Sequence, residues 1–111
     1  MKPPSLAPAY AFVFPLLAQI AQQHGYALAL HGSMTRDLDV VACPWTEDAC
    51  SAEELFNAIL EAENFKWIDI GPDHPLCQPG PKPHGRIAYT IILRGPAFID
   101  LSIMPRIPNE P

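Results

Sequence analysis

The sequence predicts a two-layer α+β domain with its helices covering one face of a sheet. Three observations carry that prediction. The strand-like segments each have one fully apolar face and one face with polar insertions, as a sheet covered on one side requires. Two segments carry helix signatures, one ending at a glycine and one opening on a capping box. The chain has 111 residues, enough for one core and too few for a catalytic domain plus a full substrate domain.

Taken in order, residues 1–8 hold Pro3, Pro4 and Pro8 and predict a loose N-terminal arm. A first helix is expected from Pro15 to His24, with Pro15 in its first turn, Leu16, Leu17 and Ile20 as its apolar stripe and Gly25 as its stop. Tyr26 to Leu30 predicts a strand, and Asp37 to Ala42 (DLDVVA) a second. Ser51 and Glu54 form the capping box of a helix reaching about Glu63, with Leu55, Phe56, Ile59 and Leu60 facing the core. Phe65 to Ile70 predicts a third strand, Arg86 to Leu93 a fourth and Ala97 to Ile103 a fifth, the last two joined by a Gly95-Pro96 turn. Between the third and fourth, residues 71–85 (GPDHPLCQPGPKPHG) read as a long loop with no element of its own, expected to border a site. The tail from Met104 holds Pro105, Pro108 and Pro111 and is expected on the surface.

Alternation assigns the faces. Tyr26, Leu28 and Leu30 share one side of the first strand; Leu38, Val40 and Ala42 share one side of the second. Ile87, Tyr89, Ile91 and Leu93 do so in the fourth, and Ala97, Ile99, Leu101 and Ile103 in the fifth. The opposite, open side then carries Asp37, Asp39, Asp100, Arg86 and His31.

Hydrophobic residues make up 49% and charged residues 17%, a globular rather than a disordered composition. No apolar run is long enough to span a bilayer, and no signal core stands at the N-terminus, so a cytoplasmic protein is expected. The net charge is −5, and seven Lys plus Arg spread along the chain make no general nucleic-acid surface. An acidic protein still handles phosphates when a metal ion carries the positive charge. Cys43, Cys50 and Cys77 are odd in number and predict free thiols. Together with His74 and His84 they offer zinc-type ligands, but no Cys-x-x-Cys pair points that way. Trp45 is expected to anchor a loop by packing, and Trp67 to sit in the core.

The chemistry is concentrated in the acids. Asp37-Leu38-Asp39 puts two carboxylates side by side on one strand face, a spacing suited to a shared cation. Asp100 interrupts an apolar strand, AFIDLSI. If that strand lies beside the second one, Asp100 completes a three-carboxylate site for Mg2+ or Mn2+. Immediately upstream, His31-Gly32-Ser33 lets the backbone approach a phosphate closely, with N–H groups and a hydroxyl as donors, although a tight turn would select Gly-Ser as well. Arg36 and Arg86 are candidates for phosphate contact, or for neutralising the aspartates, and His31 and His84 for ligand contact or solvation.

Gly32-Ser33, then Asp37-Leu38-Asp39 on a strand, then a lone Asp100 on a later strand resembles the signature of the nucleotidyltransferase superfamily: a Gly-Gly or Gly-Ser, an acidic-x-acidic pair and a distant third carboxylate. The resemblance spans residues 15 to 103, and the run HGSMTRDLDVVACPW is similar to that of short phage-encoded members. It implies a mixed, mostly antiparallel sheet with helices on one face. It also implies that Asp37 and Asp39 bind the metal, that Asp100 helps activate an attacking hydroxyl and that Gly32 and Ser33 hold the phosphates of a nucleoside triphosphate. The reaction would move a nucleoside monophosphate to a hydroxyl on a small molecule, RNA or protein. Only Met34, Thr35 and Arg36 separate Ser33 from Asp37, fewer than the family usually has, and there is no room for an acceptor-recognition domain. The alternative is therefore a catalytically weak or inactive module that binds a nucleotide or a protein partner. A third reading is a metal-free structural domain with an acidic patch.

Overall fold

In the computed structural model the described residues are 7–62, 79–93 and 97–106. They form helix α1 (Ala7–Gln23), strands β1 (Tyr26–His31) and β2 (Asp37–Pro44), helix α2 (Ala52–Glu61), the two-residue strand β3 (Gly80–Pro81), and strands β4 (Ile87–Ile92) and β5 (Phe98–Ile103). The fold is α+β, with a five-stranded mixed sheet in the order β1-β2-β5-β4-β3. Among the described residues only β2 and β5 run parallel; the other three pairings are antiparallel. Among the described residues no helix is long and apolar enough to cross a membrane.

Both helices and the predicted apolar faces of the strands meet in one core. Leu38, Val40 and Ala42 of β2, Tyr89 and Ile91 of β4, and Ile99, Leu101 and Ile103 of β5 are buried with Leu17 and Ile20 of α1 and Leu55 and Ile59 of α2. Helix α2 docks through Phe56, whose ring stacks on Tyr89 with centroids 4.0 Å apart. Its start is the expected capping box: the Ser51 hydroxyl accepts from the Glu54 N–H, and the Glu54 carboxylate accepts from the Ser51 N–H. The Tyr26 hydroxyl donates to the Cys50 carbonyl at 2.6 Å and ties the start of β1 to the entry of α2.

Several expectations need correction. Helix α1 begins at Ala7, so Ala7 and Pro8 belong to it rather than to a loose arm, and Pro15 is interior rather than in the first turn. The stripe that drives this is Tyr10, Val13, Leu17 and Ile20, spaced at the helical period and buried. It outweighs the one backbone hydrogen bond that Pro15 removes. Within the stretch read as structureless, Gly80 and Pro81 pair with Ala88 and Ile87, and Pro83–Gly85 form a 3-10 turn. Met104 donates its N–H to the Ala42 carbonyl, so the start of the tail is bonded to the end of β2.

Leu30 is 45% exposed, because burial falls away along β1 from Tyr26 to His31 and β1 is outermost among the described strands. Trp45 does not pack: it is 79% exposed, and its loop is tied instead by the Trp45 and Thr46 N–H groups donating to the Gly25 carbonyl. Gly25 sits at φ +86°, and a Cβ there would come within 2.6 Å of the Ala49 backbone, so the close turn after α1 demands glycine. Cys43 and Cys50 are free thiols. The expected strand Phe65 to Ile70, the Gly95-Pro96 turn, and Trp67, His74 and Cys77 lie outside the described residues.

Candidate metal centre on the open face

The open face of the sheet owes its polar groups to the two-residue period of its strands. On β2, Asp37 and Asp39 point away from the core while Leu38 and Val40 point into it. On β5, Asp100 and Ser102 point away while Ile99 and Leu101 point in. The parallel register sets Asp39 directly beside Asp100 and Asp37 beside Phe98. Asp37, Asp39 and Asp100 each offer a carboxylate oxygen within 4.8 Å of the others. Asp100 lies far along the chain from Asp37 and Asp39, and the parallel pairing of β2 with β5 brings it to them.

The electrostatics follow from that crowding. Burial pushes the Asp100 carboxyl up to about 6; a shared hydrogen bond with Asp39 and the charges of Asp39 and Asp37 add to the rise. Thr90, opposite Asp100 on β4, donates a long 3.5 Å hydrogen bond that favours the ionised form. The donor set is all carboxylate oxygen, which fits a hard divalent cation, and the group could hold such an ion.

The segment from Gly32 to Arg36 leads into β2 beside the cluster. Gly32 sits at φ +85°, and a Cβ there would stand 3.0 Å from Asp39 Oδ2. The backbone conformation therefore favours glycine, and any side chain there would press on the carboxylate, which would have to shift by a few tenths of an ångström. The Ser33 hydroxyl accepts from the Thr35 N–H at 3.3 Å, closing a local turn. The Arg36 side chain is exposed beside Asp37.

The opposite end is cationic. Arg86 donates from Nη1 to the Ser102 hydroxyl at 3.0 Å and from Nε to the Pro83 carbonyl at 3.1 Å. Both partners are neutral, so Arg86 does not neutralise the aspartates. Lys82 stands next to it, its N–H bonded to the Arg86 carbonyl. A cavity of about 470 Å³ runs across the sheet between the two ends, lined by His31, Asp39 and Asp100 and by Lys82, Arg86 and Ser102.

Of the residues singled out from the sequence, Asp37, Asp39 and Asp100 converge and Gly32 comes close to Asp39, while Ser33 and Arg36 are exposed on the segment leading into β2. Arg86 is apart from that group, at the other end of the cavity. His31 is opposite Asp39 in the β1–β2 register and lines the cavity, whereas His84 is exposed in the 3-10 turn.

Tyr10 was missed as part of the site. Its buried hydroxyl donates to the Arg36 carbonyl at 2.5 Å and accepts from the Phe98 N–H at 3.2 Å, bracing both acid-bearing strands from beneath. The signal that finds it is its place seven residues before Leu17 on one helical stripe. Lys82 was hidden by the prolines around it. Thr90 and Ser102 were visible on the open face but carried no role until β4, β5 and β2 were known to be neighbours.

No family model, no curated protein and no solved structure matches the chain.

Proposed function

We propose that this protein is a minimal nucleotidyltransferase that moves a nucleoside monophosphate from a nucleoside triphosphate to a hydroxyl acceptor. The observation that carries the reading is the register of Asp39 against Asp100 on adjacent parallel strands, with Asp37 on the same face. The nearness of Gly32 to Asp39, where a Cβ would stand 3.0 Å from Oδ2, supports it. Asp37 and Asp39 would hold Mg2+ or Mn2+, with Asp100 completing the set. When bound, the ion neutralises phosphate charge and orients the triphosphate. Loop N–H groups and the Ser33 hydroxyl receive the phosphate oxygens, and Arg36 adds a positive charge beside them. Asp100 takes the proton of the acceptor hydroxyl as its oxygen bonds to the α-phosphorus. The bond from that phosphorus to the bridging oxygen breaks, and pyrophosphate leaves with the electron pair.

A second reading, a module that binds a nucleotide without turning it over, is favoured by the short Gly32–Arg36 loop, which leaves Gly32 packed against Asp39. Calorimetry with a non-hydrolysable triphosphate tests the shared part of both readings. Binding should require a divalent ion and should vanish in Asp39→Asn; metal-independent binding, or none, would sink both. Release of pyrophosphate in the presence of an acceptor separates them.

A further inference from the structure

Resting on the nucleotidyltransferase reading, we infer that the Arg86 end of the open-face cavity recognises an oxyanion carried by the acceptor, so that the acceptor is a small anionic alcohol of sugar-phosphate or sugar-acid type. The cavity has two ends of opposite sign. One holds Asp39 and Asp100, and the other holds Lys82 and Arg86. The two ends do not neutralise each other, because both hydrogen bonds of Arg86 go to neutral oxygens and no carboxylate among the described residues pairs with it. Those bonds also fix the guanidinium. The Pro83 carbonyl and the Ser102 hydroxyl hold Nε and one N–H of Nη1, which leaves the second N–H of Nη1 and both of Nη2 as donors for a ligand.

Geometry separates this end from the triphosphate. The Gly32–Arg36 loop stands at the N-terminal ends of β2 and β5, whereas Arg86 precedes β4, which runs antiparallel to β5, and so lies towards the C-terminal end of β5. The carboxylates lie between them. Ser102 is two residues beyond Asp100 along β5, a spacing of roughly 7 Å. An acceptor whose hydroxyl meets Asp100 and whose anion meets Arg86 must therefore span about that distance, as a pentose or hexose with a terminal phosphate or carboxylate does. A volume of about 470 Å³ suits a ligand of that size. With two cations and acids at its other end, the cavity offers little to a polynucleotide backbone.

The test is binding by calorimetry, with glucose 6-phosphate, gluconate, glucose and a short oligoribonucleotide as probes. The parent should bind at least one of the two anionic sugars about tenfold or more tightly than glucose, and which of the two it prefers names the anion. Arg86→Gln and Lys82→Gln should each weaken that binding, by about tenfold for the arginine. Both should leave the affinity for a magnesium-bound, non-hydrolysable triphosphate within about twofold, since the loop and the acids hold it. Lys82 is exposed, so its variant keeps the test open if Arg86→Gln does not fold. Loss of triphosphate affinity in either variant would assign this end to the nucleotide and overturn the inference. So would equal binding of glucose and its anions, or binding of the oligoribonucleotide alone. Failure of the triphosphate to bind the parent, with the anionic sugars still bound through Arg86, would instead overturn the nucleotidyltransferase reading and leave the oxyanion site standing.

Discussion

The hydroxyl of Tyr10 lies 2.5 Å from the carbonyl oxygen of Arg36, the residue immediately before Asp37. The same hydroxyl accepts the N–H of Phe98, the register partner of Asp37 on β5. One buried side chain from α1 thus fixes the separation of the two strands that carry the acids. Tyr10→Phe would leave a partly buried carbonyl and a partly buried N–H without this partner, at a cost of about 1–2 kcal/mol. It should also weaken divalent-metal binding. A core truncation of equal cost, Val13→Ala, should leave metal binding unchanged. Thermal melts matched with metal calorimetry on the two variants would reveal whether Tyr10 holds the site or only the fold.

The three aspartates should behave as one metal site. Magnesium or manganese should raise the melting temperature of the parent, because a ligand that binds only the native state stabilises it by mass action. Asp37→Asn, Asp39→Asn and Asp100→Asn should each abolish that rise, while Glu61→Gln, on the exposed side of α2, should not. Without metal the three amide variants should be as stable as the parent or more so, since a repelling charge is gone. A parent-like metal response in Asp100→Asn would remove that residue from the site.

Stability without metal should depend on pH in a stated direction. Asp100 is raised from the usual carboxylate range to about 6, so the folded state binds its proton more tightly than the unfolded chain does. The contribution is fully present below pH of about 4 and is lost as pH rises through about 6. The protein should therefore lose stability between these values, on the order of 1 kcal/mol once solvent screening of a partly exposed group is allowed for. Denaturant titrations across this range should show the loss in the parent and not in Asp100→Asn.

Gly32→Ala tests the contact between the loop and the acids. Alanine at φ +85° is strained, and its Cβ would press on Asp39 Oδ2 at 3.0 Å. We expect a cost of about 1–2 kcal/mol and a loss of metal affinity larger than that cost alone would give. Unchanged metal calorimetry in this variant would show that the loop yields without moving Asp39.

Ile99 is wholly buried in the core face of β5, one residue before Asp100. Ile99→Ala should destabilise the protein by about 2–5 kcal/mol in denaturant melts. A cost under about 1 kcal/mol would contradict the assignment of that face to the core.

The strand faces were legible because alternation is local: Leu38 and Val40 are buried and Asp37 and Asp39 are not, as the spacing of two dictates. The capping box of α2 was legible for the same reason, since Ser51 and Glu54 satisfy each other within one turn. The start of α1 was not, because Pro8 and Pro15 read locally as breaks while the stripe from Tyr10 to Ile20 gains its value only against the sheet. Strand adjacency was not legible either. Nothing in DLDVVA or AFIDLSI says that they pair; the aspartate interrupting the second was a hint, and the register supplied its meaning. The cationic end stayed invisible because it depends on Arg86 reaching back over Ser102 from a neighbouring strand.

The parallel pairing of β2 with β5 also has a consequence in time. The β1–β2 pairing joins strands that are neighbours in sequence, and so does the β4–β5 pairing; each closes a short stretch of chain. Joining β2 to β5 closes a far longer one, which is entropically the slower step. On the ribosome, Asp39 emerges well before Asp100 has been synthesised. A nascent or truncated chain therefore carries the acidic pair on β2 without the strand that completes the cluster, and cation binding becomes a capacity that the polypeptide acquires only when its two hairpins dock.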